Sequence, residues 1–387
     1  MLKEMENSSS SNTSTFLDSE FRYTLFPLFY GIVFVLGLST NVYVLYVLRH
    51  LRDARAMSEV RIYMTNLTVA DLLFVTALPF WIGYYARRGN WVYGDAMCRI
   101  TASLFFINTY CSILFLAVIS VNRYWAVTRP LEAAKSDHWR RGVCVSVGIW
   151  ACTLSATIPY LVQPGIHVDG NVSRCLEGYH NETRKTRLAV AATHFVIIAL
   201  FFVVFLLVVV CNVLIARALL TQPLIKERSI VQGTSGGGSS KIQPSGTKRR
   251  AVRMLCAVIT VFAVCFLPHH VVQGPWALVA LHLADGWSQS TRQRLNDAHQ
   301  VTIMLMGLNC LLDPVVYCFA TRKFRLYVIS HFGRFSRGKG CQKTVTTNIS
   351  MANQNQSIPS NESDKDPPKI LVDSSLPLPK TNTPVTE

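Results

Sequence analysis

The chain has 387 residues, half of them hydrophobic and 16% charged, with a formal net charge of +16. Its apolar residues come in blocks of about 20 or more, not at helix or strand period, which excludes an ordinary soluble domain and predicts an all-α membrane protein. The basic residues gather between those blocks, so the positive charge calls for no nucleic-acid partner; membrane topology and anionic lipid account for it.

In chain order, residues 1–22 are polar and Ser/Asn-rich and read as a disordered segment without the apolar core of a cleavable signal peptide. Seven apolar blocks follow, at roughly 23–48, 60–86, 98–122, 143–162, 188–216, 254–281 and 298–320. Each predicts a membrane-crossing helix, because backbone amides in lipid must be satisfied within their own segment. The first, third and fifth connections carry the basic clusters, for example Arg49 to Arg61, Arg129 to Arg141 and Lys226 to Arg250, as does the stretch from Arg322 to Arg337. The positive-inside rule makes these cytoplasmic and puts the N-terminus outside. Arg87, Arg88 and Arg184 to Arg187 run against the rule and are outvoted.

The connection at about 220–250 contains GTSGGGSS and reads as a flexible linker. Residues 321–335, TRKFRLYVISHFGRF, alternate basic and bulky apolar side chains, which predicts a short amphipathic eighth helix on the inner membrane face. Cys341 beyond it is a palmitoylation candidate, with an unmodified thiol as the alternative. Residues 336–387 are rich in Ser, Thr, Asn and Pro and read as a disordered cytoplasmic tail open to phosphorylation. Asn7, Asn12, Asn171 and Asn181 head glycosylation sequons on the outer side. Of the 11 cysteines, Cys98 and Cys175 fall at outer positions, where an oxidising exterior would join them.

Polar groups inside a membrane are costly and need a partner or a purpose. Asn41, Asp71, Ser112, Asn309 and Asp313 lie at compatible depths in four spans. Two acids close together repel, which favours a cation such as Na⁺ between Asp71 and Asp313; hydrogen bonding with one carboxylate protonated is the alternative. At the inner end of span three stands VNRYWAVTRP, with Arg123 where the helix leaves the membrane.

Span six carries CFLPHHVVQGPW (265–276), within a run from Met254 to Ala284 that has no charged residue at neutral pH. Pro268 predicts a kink. His269 and Gln273 share a helix face that Trp276 continues, and His270 lies about 100° round. His194 in span five and Gln300 in span seven stand at similar depth. A self-satisfied polar cluster is one reading. A metal site is disfavoured, since adjacent histidines diverge and no carboxylate or thiolate completes a set. The third reading is a pocket in which imidazoles and an amide receive an anion, above an apolar floor of Phe105, Phe106, Tyr110 and Phe266. An anionic head with a hydrocarbon tail fits it. An enzyme would need a nucleophile–base pair, and none is apparent. A transporter or channel would need broken-helix pairs or a polar path, and the two halves show no repeat.

These motifs, taken together, resemble the rhodopsin-like (class A) G-protein-coupled receptors. The resemblance covers about residues 23–335. It rests on Asn41, on NLTVAD (66–71), on Cys98 with Cys175, on NRY (122–124) at the D-R-Y position, on Trp150, on CFLP (265–268) at C-W-x-P and on LDPVVY (312–317) at N-P-x-x-Y. It implies a seven-helix bundle, an agonist, a heterotrimeric G protein, arrestin after tail phosphorylation, and activation switches at Asn122, Arg123, Tyr124, Phe266, Pro268, Asp313, Pro314 and Tyr317. Departures are Asn122 for the usual acid, Phe266 for the rotamer-switch tryptophan, Val204 and Asn212 for the usual Pro and Tyr, and Asp313 for Asn. With no acid beside Arg123, Asn122→Asp is expected to lower ligand-free signalling. Span seven has no lysine, which excludes a retinal Schiff base.

Within that family, SEFRYTLFP (19–27), FFINTYCS (105–112), VTRP (127–130), CFLPHHVVQ (265–273) and NDAHQVT (296–302) resemble receptors for a phospholipid mediator with an ether-linked chain and a phosphocholine head. The resemblance implies phosphate-side contacts at His194, His269, His270, Gln273 and Gln300. It implies chain contacts at Trp81, Phe105, Phe106 and Trp276, and choline contacts at Tyr23, Trp81, Tyr84 and Glu177. A lysophospholipid, nucleotide or hydroxy acid is the alternative ligand.

Overall fold

The computed structural model describes residues 19–50, 59–135, 137–176, 183–221, 246–283, 286–320 and 322–336. Among them, seven helices are long and apolar enough to cross a membrane. They are Phe21–His50, Glu59–Ala86, Gly94–Thr128, His138–Val162 and Arg184–Thr221, then span six from Gly246 to Ala280 and span seven from Gln289 to Ala320. The helices outrun the apolar blocks because lipid length sets the apolar core and capped polar turns extend it on either side. Span seven shows this: Ser288 caps its first turn by accepting from the Thr291 N–H, and QSTRQRLND is helical above the greasy part. The disorder read for residues 1–22 does not extend to the end of that segment: span one begins at Phe21, and Ser19 Oγ donates to Asp297 at 2.6 Å.

Two spans are interrupted. Span six runs as Gly246–Val261, a π turn Phe262–Phe266, and Leu267–Ala280. Pro268 has no N–H and its ring crowds the carbonyl four residues back; the wide turn just before it lets the Leu267 N–H reach the Phe262 carbonyl instead. Span seven is Gln289–Met306 and Asn309–Ala320, with Gly307 and Leu308 making tight turns back to Met304 and Leu305.

Two features were not read from the sequence. A short helix, Pro130–Lys135, follows span three. Strands β1 (Ile166–Asp169) and β2 (Val172–Cys175) form an antiparallel hairpin between spans four and five, turning at Gly170 (φ +58°) beside exposed Asn171. The Cys98–Cys175 disulfide ties the hairpin to span three. The Asp95 carboxylate reinforces it by accepting from the Gly165 and Ile166 N–H groups at 2.8 and 3.1 Å.

Burial is sided. Phe26, Tyr84, Leu67, Phe115, Phe262 and Tyr317 are wholly enclosed, whereas Val203 of span five is 66% exposed, and Leu200 and Leu206 beside it are similar. A helix with an apolar face both inward and outward is what lipid solvent permits. Helix Arg322–Ser336 follows span seven, and Phe324 packs edge-on against Tyr317 at 6.3 Å. Asn7, Asn12, Glu177, Asn181 and Cys341, and nearly all of 336–387, lie outside the described residues.

Candidate ligand-binding site

At the hairpin end, the spans enclose a cavity of about 740 Å³, within the range of small-molecule sites. Its polar wall comes from spans five, six and seven. His269 and Gln273 reach it one turn apart, as their spacing predicts. Gln273 Nε2 lies 2.9 Å from His194 Nδ1, and His269 Nδ1 lies 3.4 Å from Thr302 Oγ1. Trp276 stacks flat on His299 at 3.7 Å between centroids and donates its indole N–H to Asn296 at 3.1 Å. Gln300 completes this wall. Gln273 Oε1 and His299 Nδ1 are buried and lack a hydrogen-bond partner. Orphaned polar atoms in a cavity wall are rare in folded proteins and are satisfied by a ligand or water.

The opposite wall is apolar. Phe105 packs edge-on against Phe74 at 5.5 Å, and Phe106 stands 4.3 Å from Tyr110; all four line the cavity, as does Trp81. Disulfide residue Cys175 and Leu176 line it too.

Several expected positions lie elsewhere. His270 does not line the cavity: its ring stacks on Phe201 of span five at 3.8 Å and its Nδ1 lies 2.8 Å from the Phe266 carbonyl. The 100° offset that separates it from His269 turns it into the helix interface. Phe266 is not in the floor but is fully buried against Phe262. Tyr84 points into an aromatic cluster with Trp91, leaving neighbouring Tyr85 in the wall. Tyr23 lies outside the cavity and accepts from Arg174 at 3.3 Å.

Sequence reading missed the basic members of the lining. Arg22 lines the cavity although only 1% exposed, its guanidinium 5.6 Å from the Tyr85 ring centroid. Arg292, His282 and His299 also line it, and no Asp or Glu does among the described residues. Spacing carried the signal for two of them, since Arg292, Asn296 and His299 share a face at steps of four and three.

Deeper in the bundle, Asp71 accepts from Asn108 Nδ2 at 2.8 Å, and Asn309 Nδ2 donates to Asn108 at 3.1 Å and to Ser112 at 2.9 Å. Asn41 donates to the Cys310 carbonyl at 2.9 Å, just past the break in span seven. Asp71 Oδ2, Asn309 Oδ1 and Asn41 Oδ1 are left buried without a donor. Asp313 is also fully buried on this path. Such a set of oxygens suits a small hard cation. Asn108 is a further member that the sequence reading passed over.

At the far end, Tyr317 is buried and receives the Thr68 hydroxyl at 3.3 Å, and Tyr124 packs on Ile215 and Leu255. Asn122 does not stand alone: its amide donates to Glu59 of span two. A carboxylate is therefore present next to the arginine motif, supplied by another helix.

Comparison with known proteins agrees with this architecture. Residues 40–317 match the "7 transmembrane receptor (rhodopsin family)". The chain is 42% identical over 342 residues to the platelet-activating factor receptor of Homo sapiens, covering 87% of this chain and 94% of that one. It is 41% identical over 354 residues to the receptor of that name in Mus musculus, covering 89% and 97%. G-protein coupled receptor 183 of Bos taurus is 30% identical over 310 residues, covering 80% and 81%. With seven spans, an arginine motif at one end and a cavity at the other, the chain is a multi-pass membrane protein that belongs to the rhodopsin family of seven-transmembrane, G-protein-coupled receptors.

Proposed function

We propose that this receptor stands in the plasma membrane with its hairpin end outside and answers platelet-activating factor, an ether phospholipid with a phosphocholine head. The observation that carries the reading is one cavity with His194, His269, Gln273, His299 and Gln300 on one side and Phe105, Phe106 and Trp81 on the other. The phosphate meets the imidazole and amide wall, where Gln273 and His299 have unused polar atoms. The alkyl chain lies on the aromatic wall. The choline meets the faces of Trp81 and Tyr85, which stack at 6.3 Å, since aromatic faces attract quaternary ammonium groups.

Activation is then a shift between two arrangements of spans five to seven, one of which the lipid binds more tightly. The π turn and Pro268 stand directly below the ligand wall and let the two halves of span six move separately. Outward swing of its far end opens a cleft beside Arg123 for a heterotrimeric G protein, and arrestin follows tail phosphorylation. A Na⁺ ion between Asp71 and Asp313 would favour the resting arrangement. Its oxygen set includes Asn309, whose position depends on the break in span seven.

One observation favours a second reading. Arg22 and Arg292 in a lining without described acids suit a ligand of net negative charge, such as a lysophospholipid with a phosphomonoester head. Dose–response curves for G-protein activation, with choline and phosphomonoester lipids of equal chain length, separate the two. The first reading requires the choline lipid to be the more potent.

A further inference from the structure

The side chain of Glu59 opens span two and is 2% exposed. Three groups from two other spans converge on it. The Asn122 amide of span three donates to Oε2. The Arg141 guanidinium of span four forms an ion pair with Oε1, and His138 Nδ1 lies 3.1 Å from the same oxygen. Arg141 also lies over the Trp125 ring of span three at 4.0 Å, so it grips spans two and three together. Span four comes close here because residue 142 is glycine: a Cβ would stand 2.7 Å from Ile62 Cδ1 and 3.5 Å from Glu59 Cα.

Removing Asn122 or Arg141 leaves the buried Glu59 carboxylate short of a partner, whereas Arg141 and His138 are 34% and 40% exposed and can turn to water when Glu59 is lost. The cluster therefore holds spans two, three and four together while Glu59 stays buried. Asn122 directly precedes Arg123. Holding its side chain fixes the rotation of span three about its own axis, and so the direction in which Arg123 points.

We propose that Glu59 is a positioning residue for Arg123: it supplies, from span two, the restraining charge that span three lacks, and holds the receptor at rest until the inner ends of spans two, three and four part. This rests on the G-protein-coupled reading of the chain but not on the identity of its agonist. It reverses the sign expected for one substitution. Asn122→Asp places a second carboxylate against Glu59, so repulsion opens the cluster.

The test is ligand-free nucleotide exchange on purified G protein by receptor in lipid nanodiscs, normalised to the amount of folded receptor. E59A and N122D should each raise the basal rate by about fivefold or more, the population shift that follows loss of one charge-assisted hydrogen bond. E59Q keeps the acceptor for Asn122 but loses the charge for Arg141, and should give a smaller rise. The double substitution E59N with N122D restores one acid facing one amide and should return the rate toward wild type. A merely structural role predicts lower, not higher, exchange per folded receptor. Unchanged or reduced exchange in N122D and E59A, or a double variant no closer to wild type than the singles, overturns the proposal. No agonist is added, so failure here is distinct from failure of the lipid assignment.

Discussion

The chemistry of the ligand wall is carried by side chains that the membrane would otherwise exclude. Gln273 bridges to His194 across spans five and six. Gln273→Ala and His269→Ala are each expected to weaken agonist potency several-fold at unchanged surface expression, about 1 kcal/mol or more for each lost buried partner. Dose–response measurement checks this. His270 behaves differently because it packs on Phe201 rather than facing the cavity. His270→Ala should lower thermal stability, read by a melting assay in detergent, while His270→Phe keeps the stack and leaves potency within about twofold. Arg292→Gln should weaken a phosphomonoester lipid more than a choline lipid, since the guanidinium has more charge to meet there.

Sequence reading placed eight of the twelve expected ligand contacts in the cavity wall, because helical periodicity and Pro268 fix direction around an axis. It failed where direction is set by packing between helices. His269 and His270 look alike in the sequence; only the position of Phe201 decides which one turns inward. Tyr84 and Tyr85 are exchanged for the same reason. Arg22 was missed because an apolar-block boundary at residue 23 cut off the turn that carries it.

At the scale of elements, the interruptions matter more than the helices. The π turn at Phe262–Phe266 and the break at Gly307–Leu308 lie between the cavity and the inner ends of their spans. The apolar blocks were readable to a few residues, but neither interruption was located beyond the proline kink, since a wide turn has no composition of its own. The β hairpin was also unread, because its two strands are four residues each and are held mainly by Asp95, Trp91 and the disulfide. Cys98→Ala with Cys175→Ala should lower stability by about 2–5 kcal/mol and blunt agonist affinity, as Cys175 is itself in the cavity wall. Thermal melting with and without agonist lipid tests both parts. The Asp95 tether should keep part of the hairpin in place, so affinity falls rather than vanishes.

For the whole molecule, the seven spans form one device in which a lipid at the hairpin end biases a charge cluster at the other. The buried polar cluster of Asp71, Asn108, Asn309 and Asp313, proposed above as a Na⁺ site, lies between them. If Na⁺ favours rest, replacing it with an organic cation should raise agonist affinity in the wild type. That dependence should disappear in Asp71→Asn and Asp313→Asn. Radioligand binding in the two salts reads it directly, and an undiminished Na⁺ effect in both variants would remove the ion from this polar cluster.

The most direct measurement is G-protein-linked calcium release in cells expressing this chain, exposed to a 1-alkyl-2-acetyl-glycerophosphocholine and to its lyso form, which differs only at the second glycerol position. The account predicts that the acetylated lipid is more potent by about tenfold or more, equivalent to about 1.4 kcal/mol of differential binding. Equal potency of the two lipids, or no response above that of cells lacking the chain, would contradict it.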